Sequence, residues 1–209
     1  MARPRKASDE QLLAAAALVI GRVGPSFTLA QVAEEAGVSA PTLVQRFGSK
    51  RDLLVALGRA NQEWVLTAMR RAAERAHTPL RALSAALLAG FAELGDPLVV
   101  VNNVAQLGAD LADPQLRALL QEHYTAVERI ARELVAAAMH AGELPGAPGP
   151  AVAARVLVAL INGAALDWSI RPRGDLTDRL RRDLEAVLTG WRAVPAGRVR
   201  ETVGAGKRE

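Results

Sequence analysis

Four side chains within nine residues carry the chemistry this chain is best equipped for: Thr42, Gln45, Arg46 and Lys50. A hydroxyl and an ammonium donate to phosphate oxygens. Glutamine pairs with an adenine edge through two bonds, and arginine does the same with guanine. Catalytic chemistry finds no comparable set. The chain has no cysteine, so it has no disulfide, thiolate metal site or thiol nucleophile. His77, His123 and His140 share no metal-ligand spacing. Glu74-x-x-His77 is half of a di-iron signature, and no second E-x-x-H completes it. No nucleophile elbow or glycine-rich phosphate loop occurs. Paired carboxylates such as Glu34-Glu35 fall on a solvated helix face. The sequence therefore predicts no enzyme activity, no cofactor and no metal.

The elements that must position the four residues lie between Thr28 and Lys50. Thr28 and Gln31 have the spacing of a capping box. Leu29, Val32, Ala33 and Ala36 then form one apolar stripe on a helical period. Gly37 supplies the positive φ that ends this helix and turns the chain. Ser39 caps a second short helix, and Pro41 is tolerated in its first turn. Leu43 and Phe47 point into a small core, which leaves Ala40, Thr42, Gln45 and Arg46 facing outward. Ser49 caps a third helix, with Asp52 three residues on and Lys50 in its first turn. A cation there opposes the helix dipole. A docked phosphate would satisfy the lysine, the dipole and the free N–H groups together. Two short helices about a glycine turn make a helix-turn-helix, whose second helix fits the major groove of DNA.

Thr28, Val32-Ala33, Ala36-Gly37-Val38-Ser39, Thr42-Leu43, Phe47, Ser49-Lys50 and Leu53-Leu54 together resemble the DNA-binding segment of the tetracycline-repressor (TetR) family of transcriptional regulators. The resemblance covers about the first quarter of the chain. It implies a dimer that binds double-stranded DNA and is released by a small-molecule effector. The expected DNA-binding residues are Thr28, Ser39, Ala40, Pro41, Thr42, Val44, Gln45, Arg46 and Lys50. One position departs from the family pattern: Val44 stands where a tyrosine is usual. This removes a phosphate contact and offers a thymine methyl an apolar partner.

The composition agrees with an all-helical chain. Half the 209 residues are apolar and only 3% are aromatic, with abundant Ala, Leu and Val. The net charge of +4 is mild for a nucleic-acid partner, and the cations are mostly arginine. Residues 1–7 form a basic arm in which Arg3, Arg5 and Lys6 are expected to track phosphates. Leu12 to Ile20 is the longest uninterrupted apolar run, too short to span a bilayer, and Asp9 and Glu10 spoil its likeness to a signal peptide. No membrane role is expected, and a cytoplasmic location is.

Ser8 and Gln11 predict a capped first helix. A long helix runs from Ser49 to about Ala76 and reaches out of the first domain. Thr78-Pro79, Asp96-Pro97 and Asp113-Pro114 are three helix starts, opening helices of about 79–94, 97–111 and 114–141. Gly142 to Pro150 predicts a loop and the most flexible point of the second domain. Residues 151–170 are apolar nearly all round, and Asp175 caps a final helix. Two apolar helices at the end suggest half of a four-helix contact, so a homodimer through 151–191 is expected.

The predicted architecture is all-α with about nine helices. It comprises a three-helix helix-turn-helix domain at 1–56, a helical ligand-binding and dimerisation domain at 57–194, and a disordered tail at 195–209. Polar or aromatic residues inside apolar helices mark the expected effector pocket. These are Asn102, Asn103, Gln106, Tyr124, Asn162 and Trp168, with Trp64 and Phe91 as walls. Few charges fall on these apolar faces, which predicts a mostly apolar effector. The alternative is an all-helical small-molecule or protein binding module without DNA binding.

Overall fold

Side-chain caps punctuate the chain. Eight of the nine α-helices among the described residues begin on a Ser, Thr or Asp whose oxygen accepts a first-turn backbone N–H. Each such cap contributes about 1 kcal/mol to its helix. The computed structural model describes residues 7–193, so the basic arm (Arg3, Arg5, Lys6) and the tail 195–209 lie outside the described residues.

The helices are α1 (Asp9–Val23), α2 (Leu29–Glu35), α3 (Ala40–Phe47), α4 (Lys50–Glu74), α5 (Pro79–Ala89), α6 (Pro97–Ala112), α7 (Pro114–His140), α8 (Pro150–Ile170) and α9 (Leu176–Arg192), with a short 3-10 turn at Gly24–Ser26. The predicted capping boxes at Ser8/Gln11 and Thr28/Gln31 both form. Gly37 turns the chain at φ 66° between α2 and α3.

Two cores organise these elements. The first joins α1, α2, α3 and the start of α4 around Leu12, Val19, Phe27, Val32, Leu43 and Leu53. The second joins α4 to α9 around Met69, Leu83, Val135, Leu157, Trp168 and Leu184. α4 belongs to both: Leu53, Leu54 and Leu57 pack in the first, and Val65, Leu66 and Met69 in the second. A single rigid helix therefore ties one core to the other.

The structure departs from the sequence reading in three places. α5 stops at Ala89 instead of continuing to Leu94. Beyond Gly90 the chain closes successive tight turns, with Phe91 N donating to Leu88 O and Leu94 N to Phe91 O. The 142–150 segment is pinned: Leu144 is fully buried, and Gly146 N donates to Trp191 O at 2.8 Å. The Glu143 carboxylate also accepts from Leu80 N at 2.8 Å, at the start of α5. Glycine and proline there mark a tight path against α9, and long-range partners hold it. Finally, α8 is long and apolar enough by length and composition to cross a membrane. Its inner face is core, through Ala153, Ala154, Leu157, Val158, Ile161, Ala164, Ala165 and Trp168.

Candidate nucleic-acid interface and effector chamber

α3 presents one continuous outer face because a single residue anchors it. Leu43 has no exposed surface, and Phe47 packs half-buried on the same core. At 3.6 residues per turn, this leaves Pro41, Thr42, Val44, Gln45 and Arg46 in solvent, with Ser39 at the tip. Ala40 is half-buried against the core, so only part of its methyl remains available. The Ser39 and Thr42 hydroxyls lie 2.8 Å apart, and Thr42 N donates to Ser39 Oγ at 3.3 Å. The tip of α3 is thus pre-arranged, with donors and acceptors facing water. Thr28 is exposed at the start of α2 and is committed to its capping box.

Lys50, expected to meet a phosphate, has partners within the chain. Its ammonium donates to Pro25 O at 2.8 Å and to Phe27 O at 2.6 Å, and it sits 4.0 Å from the Phe27 ring centroid. Burial lowers its pKa. The helix end it was expected to burden already has a carboxylate, since Asp52 accepts from Ser49 Oγ at 2.6 Å. Lys50 therefore clasps the 3-10 turn to α4. Its partners lie 23 and 25 residues back, beyond the reach of any local pattern.

Arg46 is also engaged. Its Nε donates to Asp9 Oδ1 at 2.6 Å across to α1, and both side chains are about half exposed. An exposed pair of this kind contributes roughly 0–1 kcal/mol, so a competing anion can release it.

The joint between the two cores is built from α6. Asn102, expected near a pocket, instead donates through Nδ2 to Gly21 O at 2.8 Å. Its Oδ1 lies 3.2 Å from where a Cβ at Gly24 would stand, and Gly24 has φ 64°. Val99 packs just as closely on Gly21. At the far end of α6, Asp113 caps α7 and accepts both Nε and Nη2 of Arg51, at 2.8 and 2.9 Å. That pair holds the Asp113 carboxyl below the usual carboxylate range. α4 also crosses α7 closely: a Cβ on Gly58 would come 2.6 Å from Leu119 Cδ2.

The expected pocket residues separate into three groups. Trp168 is buried in the second core, and Phe91 and Tyr124 pack against it half-buried. Trp168 is spent on the α8–α9 turn, where Nε1 donates to Gly174 O at 3.0 Å. Asn162 is spent on a bond to Val158 O within its own helix. Trp64 and Asn103 are exposed, so neither walls an enclosed chamber in this chain.

Gln106 is the informative member. It is 7% exposed, its Nε2 donates to Asp110 Oδ1 at 2.6 Å, and its Oε1 is buried without a partner. One other buried side-chain polar atom is unpartnered among the described residues, His123 Nδ1 on α7. Burial lowers the His123 pKa and raises those of Tyr124 and Asp110. Sequence reading weighed His123 only as a metal ligand; its place among apolar positions of α7 was the signal. Native proteins leave few buried polar atoms without a partner, so each of these two side chains is a candidate contact for a bound group. Two open grooves, of about 460 and 470 Å³, lie elsewhere and are lined largely by charged residues such as Arg22, Glu35, Arg59 and Glu122.

Two family models match the chain. Residues 12–57 match "Bacterial regulatory proteins, tetR family", and residues 79–193 match "BetI-type transcriptional repressor, C-terminal". No curated protein matches the sequence significantly. Among solved structures, a transcriptional regulator from Rhodococcus sp. Rha1 is 23% identical, with a TM-score of 0.71 over 90% of this chain and 100% of that one. The regulator FadR from Bacillus subtilis, in complex with stearoyl-CoA, is 19% identical at a TM-score of 0.70, covering 88% and 99%. SmeT, the repressor of the Stenotrophomonas maltophilia multidrug efflux pump SmeDEF, is 21% identical at 0.67, covering 89% and 91%. At these identities the structural likeness establishes the fold.

Proposed function

The chain belongs to the TetR family of bacterial regulatory proteins and is a DNA-binding transcriptional regulator, not an enzyme; on that premise we propose that it is a repressor, working as a two-fold dimer on a palindromic operator and released by a small, mostly apolar effector. The observation that carries this is the outer face of α3. Thr42, Val44, Gln45 and Arg46 stand together in solvent beside Ser39 and Pro41, on a helix fixed from behind by Leu43. Gln45 and Arg46 read base edges and Val44 touches a thymine methyl, while Ser39, Thr42 and Thr28 meet phosphates. Arg46 leaves Asp9 to do so. Such a protein works in the cytoplasm, where its DNA is.

α8 supports the dimer. Val152, Val156, Ala159, Gly163, Leu166 and Ile170 recur at four- and three-residue steps, and every one is exposed. This is the pattern of a helix that packs on a second helix. α9 lies against α8 and completes two helices per subunit of a four-helix contact. Two copies of α3 then meet half-sites about one helical turn apart, roughly 34–36 Å.

The effector site is drawn between α6 and α7. Gln106 donates from Nε2 to Asp110, and its buried atom without a partner, Oε1, is an acceptor. The effector thus offers a hydrogen-bond donor to Gln106, beside the Asp110 carboxyl. Among the neighbours, FadR was solved with stearoyl-CoA, and SmeT represses a multidrug efflux pump. Amphipathic ligands are the class to screen. An effector that binds better when the recognition helices are misplaced shifts the population away from DNA.

The deciding measurement is fluorescence anisotropy with labelled DNA from upstream of the gene, at several salt concentrations, with Gln45→Ala alongside. Binding tighter than to scrambled DNA and weakened by salt establishes the repressor reading. Loss confined to particular operator variants in Gln45→Ala assigns base reading. Equally weak binding of every DNA by both proteins favours the second reading, a binding module without DNA, which the engagement of Arg46 and Lys50 within the chain makes specific. Gln106→Leu keeps DNA binding and loses release by effectors that carry a donor.

A further inference from the structure

Opposite faces of α6 have different surroundings. One face is clamped to the first core through Val99 on Gly21 and the Asn102 bond to the Gly21 carbonyl. The other is bare and apolar. Leu98, Val101, Ala105 and Gly108 follow at steps of three, four and three residues, flanked by Val104 and Leu111. Leu98 is 57% exposed and Leu111 48%. No residue from Pro97 to Gly108 is charged. A contiguous apolar patch of this kind marks a contact surface.

We propose that this α6 face is a second seam between subunits, covered by the same face of another copy of the chain. The proposal rests on the dimer reading above and extends it to a helix outside 151–191. Three observations select a second copy as the occupant. The face is uncharged, so a two-fold axis brings no like charges together. α6 packs directly on α8, the helix of the dimer contact proposed above. Ala105 and Gly108 stand at its centre and let two backbones approach.

The consequence is regulatory. α6 then touches the partner with one face and its own DNA-binding domain with the other. Any slide or rotation of α6 changes both contacts at once. The Asn102 clasp sets the DNA-binding domain relative to the two-fold axis, and hence the spacing of the two α3 helices.

The absence of cysteine makes the test clean. Single variants Val101→Cys (α6), Ala159→Cys (α8) and Asn61→Cys (exposed on α4) are treated with a short bifunctional maleimide, and the cross-linked dimer is read on a denaturing gel. The seam predicts efficient cross-linking at 101 and 159 and none at 61. Cross-linking at 159 alone overturns the seam and leaves the α8 dimer standing. Cross-linking at 101 alone keeps the seam and removes the α8 contact. Neither overturns both. A second variant, Val101→Glu, separates function from folding because the position is exposed. It keeps its dimer mass in light scattering and its thermal midpoint, and loses about tenfold or more in affinity for the palindrome. An unchanged operator affinity and spacing preference also sinks the proposal.

Discussion

The α1–α3 domain and the α6–α7 hairpin solve the same problem in opposite ways. In the first, polar groups at helix starts are satisfied within three residues: Ser8 by Gln11, Thr28 by Gln31, Ser39 by Thr42. In the second, the helix starts are capped locally as well, and other polar groups reach across the fold or go unmet. Asn102 bonds Gly21 on another domain, Asp113 holds Arg51, and Gln106 Oε1 and His123 Nδ1 have no partner. A domain satisfied locally is a rigid reading head. A hairpin with distant and unmade bonds responds to whatever completes them. The difference separates the part that must hold one shape from the part that must have two.

The largest expected effect tests whether the reading head stands on its own small core. Leu43→Ala removes a fully buried side chain from a cluster of ten buried residues. It should cost about 2–5 kcal/mol in that domain and abolish operator binding. Thermal unfolding should then split into two transitions, with the α4–α9 core retained. A single cooperative transition shifted as a whole would show that α4 couples the cores too tightly for the contrast to hold.

Lys50→Met comes next. Two charge-assisted bonds to the Pro25 and Phe27 carbonyls are lost, each contributing roughly 1.5–3 kcal/mol at most in such settings. The expected result is a less stable reading head with an unchanged slope of log affinity against log salt. A slope reduced by about one, with stability intact, would restore the phosphate contact that the sequence suggests.

These two residues also show what sequence patterns reach and what they miss. Leu43 was legible because its neighbours set a helical period and a cap. The same holds for the three Asp/Thr-Pro helix starts, which open α5, α6 and α7 where expected. Lys50 was legible as an anomaly, and its resolution was not, because Pro25 and Phe27 approach it only after folding. Asn102 misled for the same reason. The polar residues expected in the apolar helices end in different surroundings, and Asn103 is exposed. Periodicity is silent on whether such a residue meets a backbone carbonyl, as Trp168 and Asn102 do, or keeps an atom without a partner, as Gln106 does at Oε1. The surroundings of the expected pocket residues were therefore the least readable part of the molecule.

The hairpin's side of the contrast is tested by pH. Burial lowers the His123 pKa, so the folded state holds this proton less tightly than the unfolded chain. The unfolded state then binds more protons as pH falls through the ordinary histidine range. Stability is lost on acidification and regained on return to neutral pH. The thermal midpoint should fall between about pH 7.5 and pH 5.5, and His123→Phe should flatten that part of the profile. A donor-bearing effector held near α7 should blunt the same fall. An identical acid profile in wild type and His123→Phe would place the sensitivity elsewhere.

The smallest effect concerns a bond by which the reading head restrains its own recognition helix. Asp9 on α1 holds Arg46 of α3 through an exposed pair, worth roughly 0–1 kcal/mol. In the complex that pair must open for Arg46 to meet a base. Asp9→Asn removes the competing carboxylate and a negative charge from the DNA-facing side. It also removes a charge that favours the start of α1, so stability should fall by about 0.3–1 kcal/mol. Operator affinity should nevertheless rise, by a factor of about five at most. The gain should vanish in an Arg46→Ala background if the carboxylate acts through Arg46, and should persist there if it acts only by repelling the phosphates. The double-mutant cycle therefore decides whether the reading head has any internal switch at all, or whether every device that regulates this protein lies on the far side of Asn102.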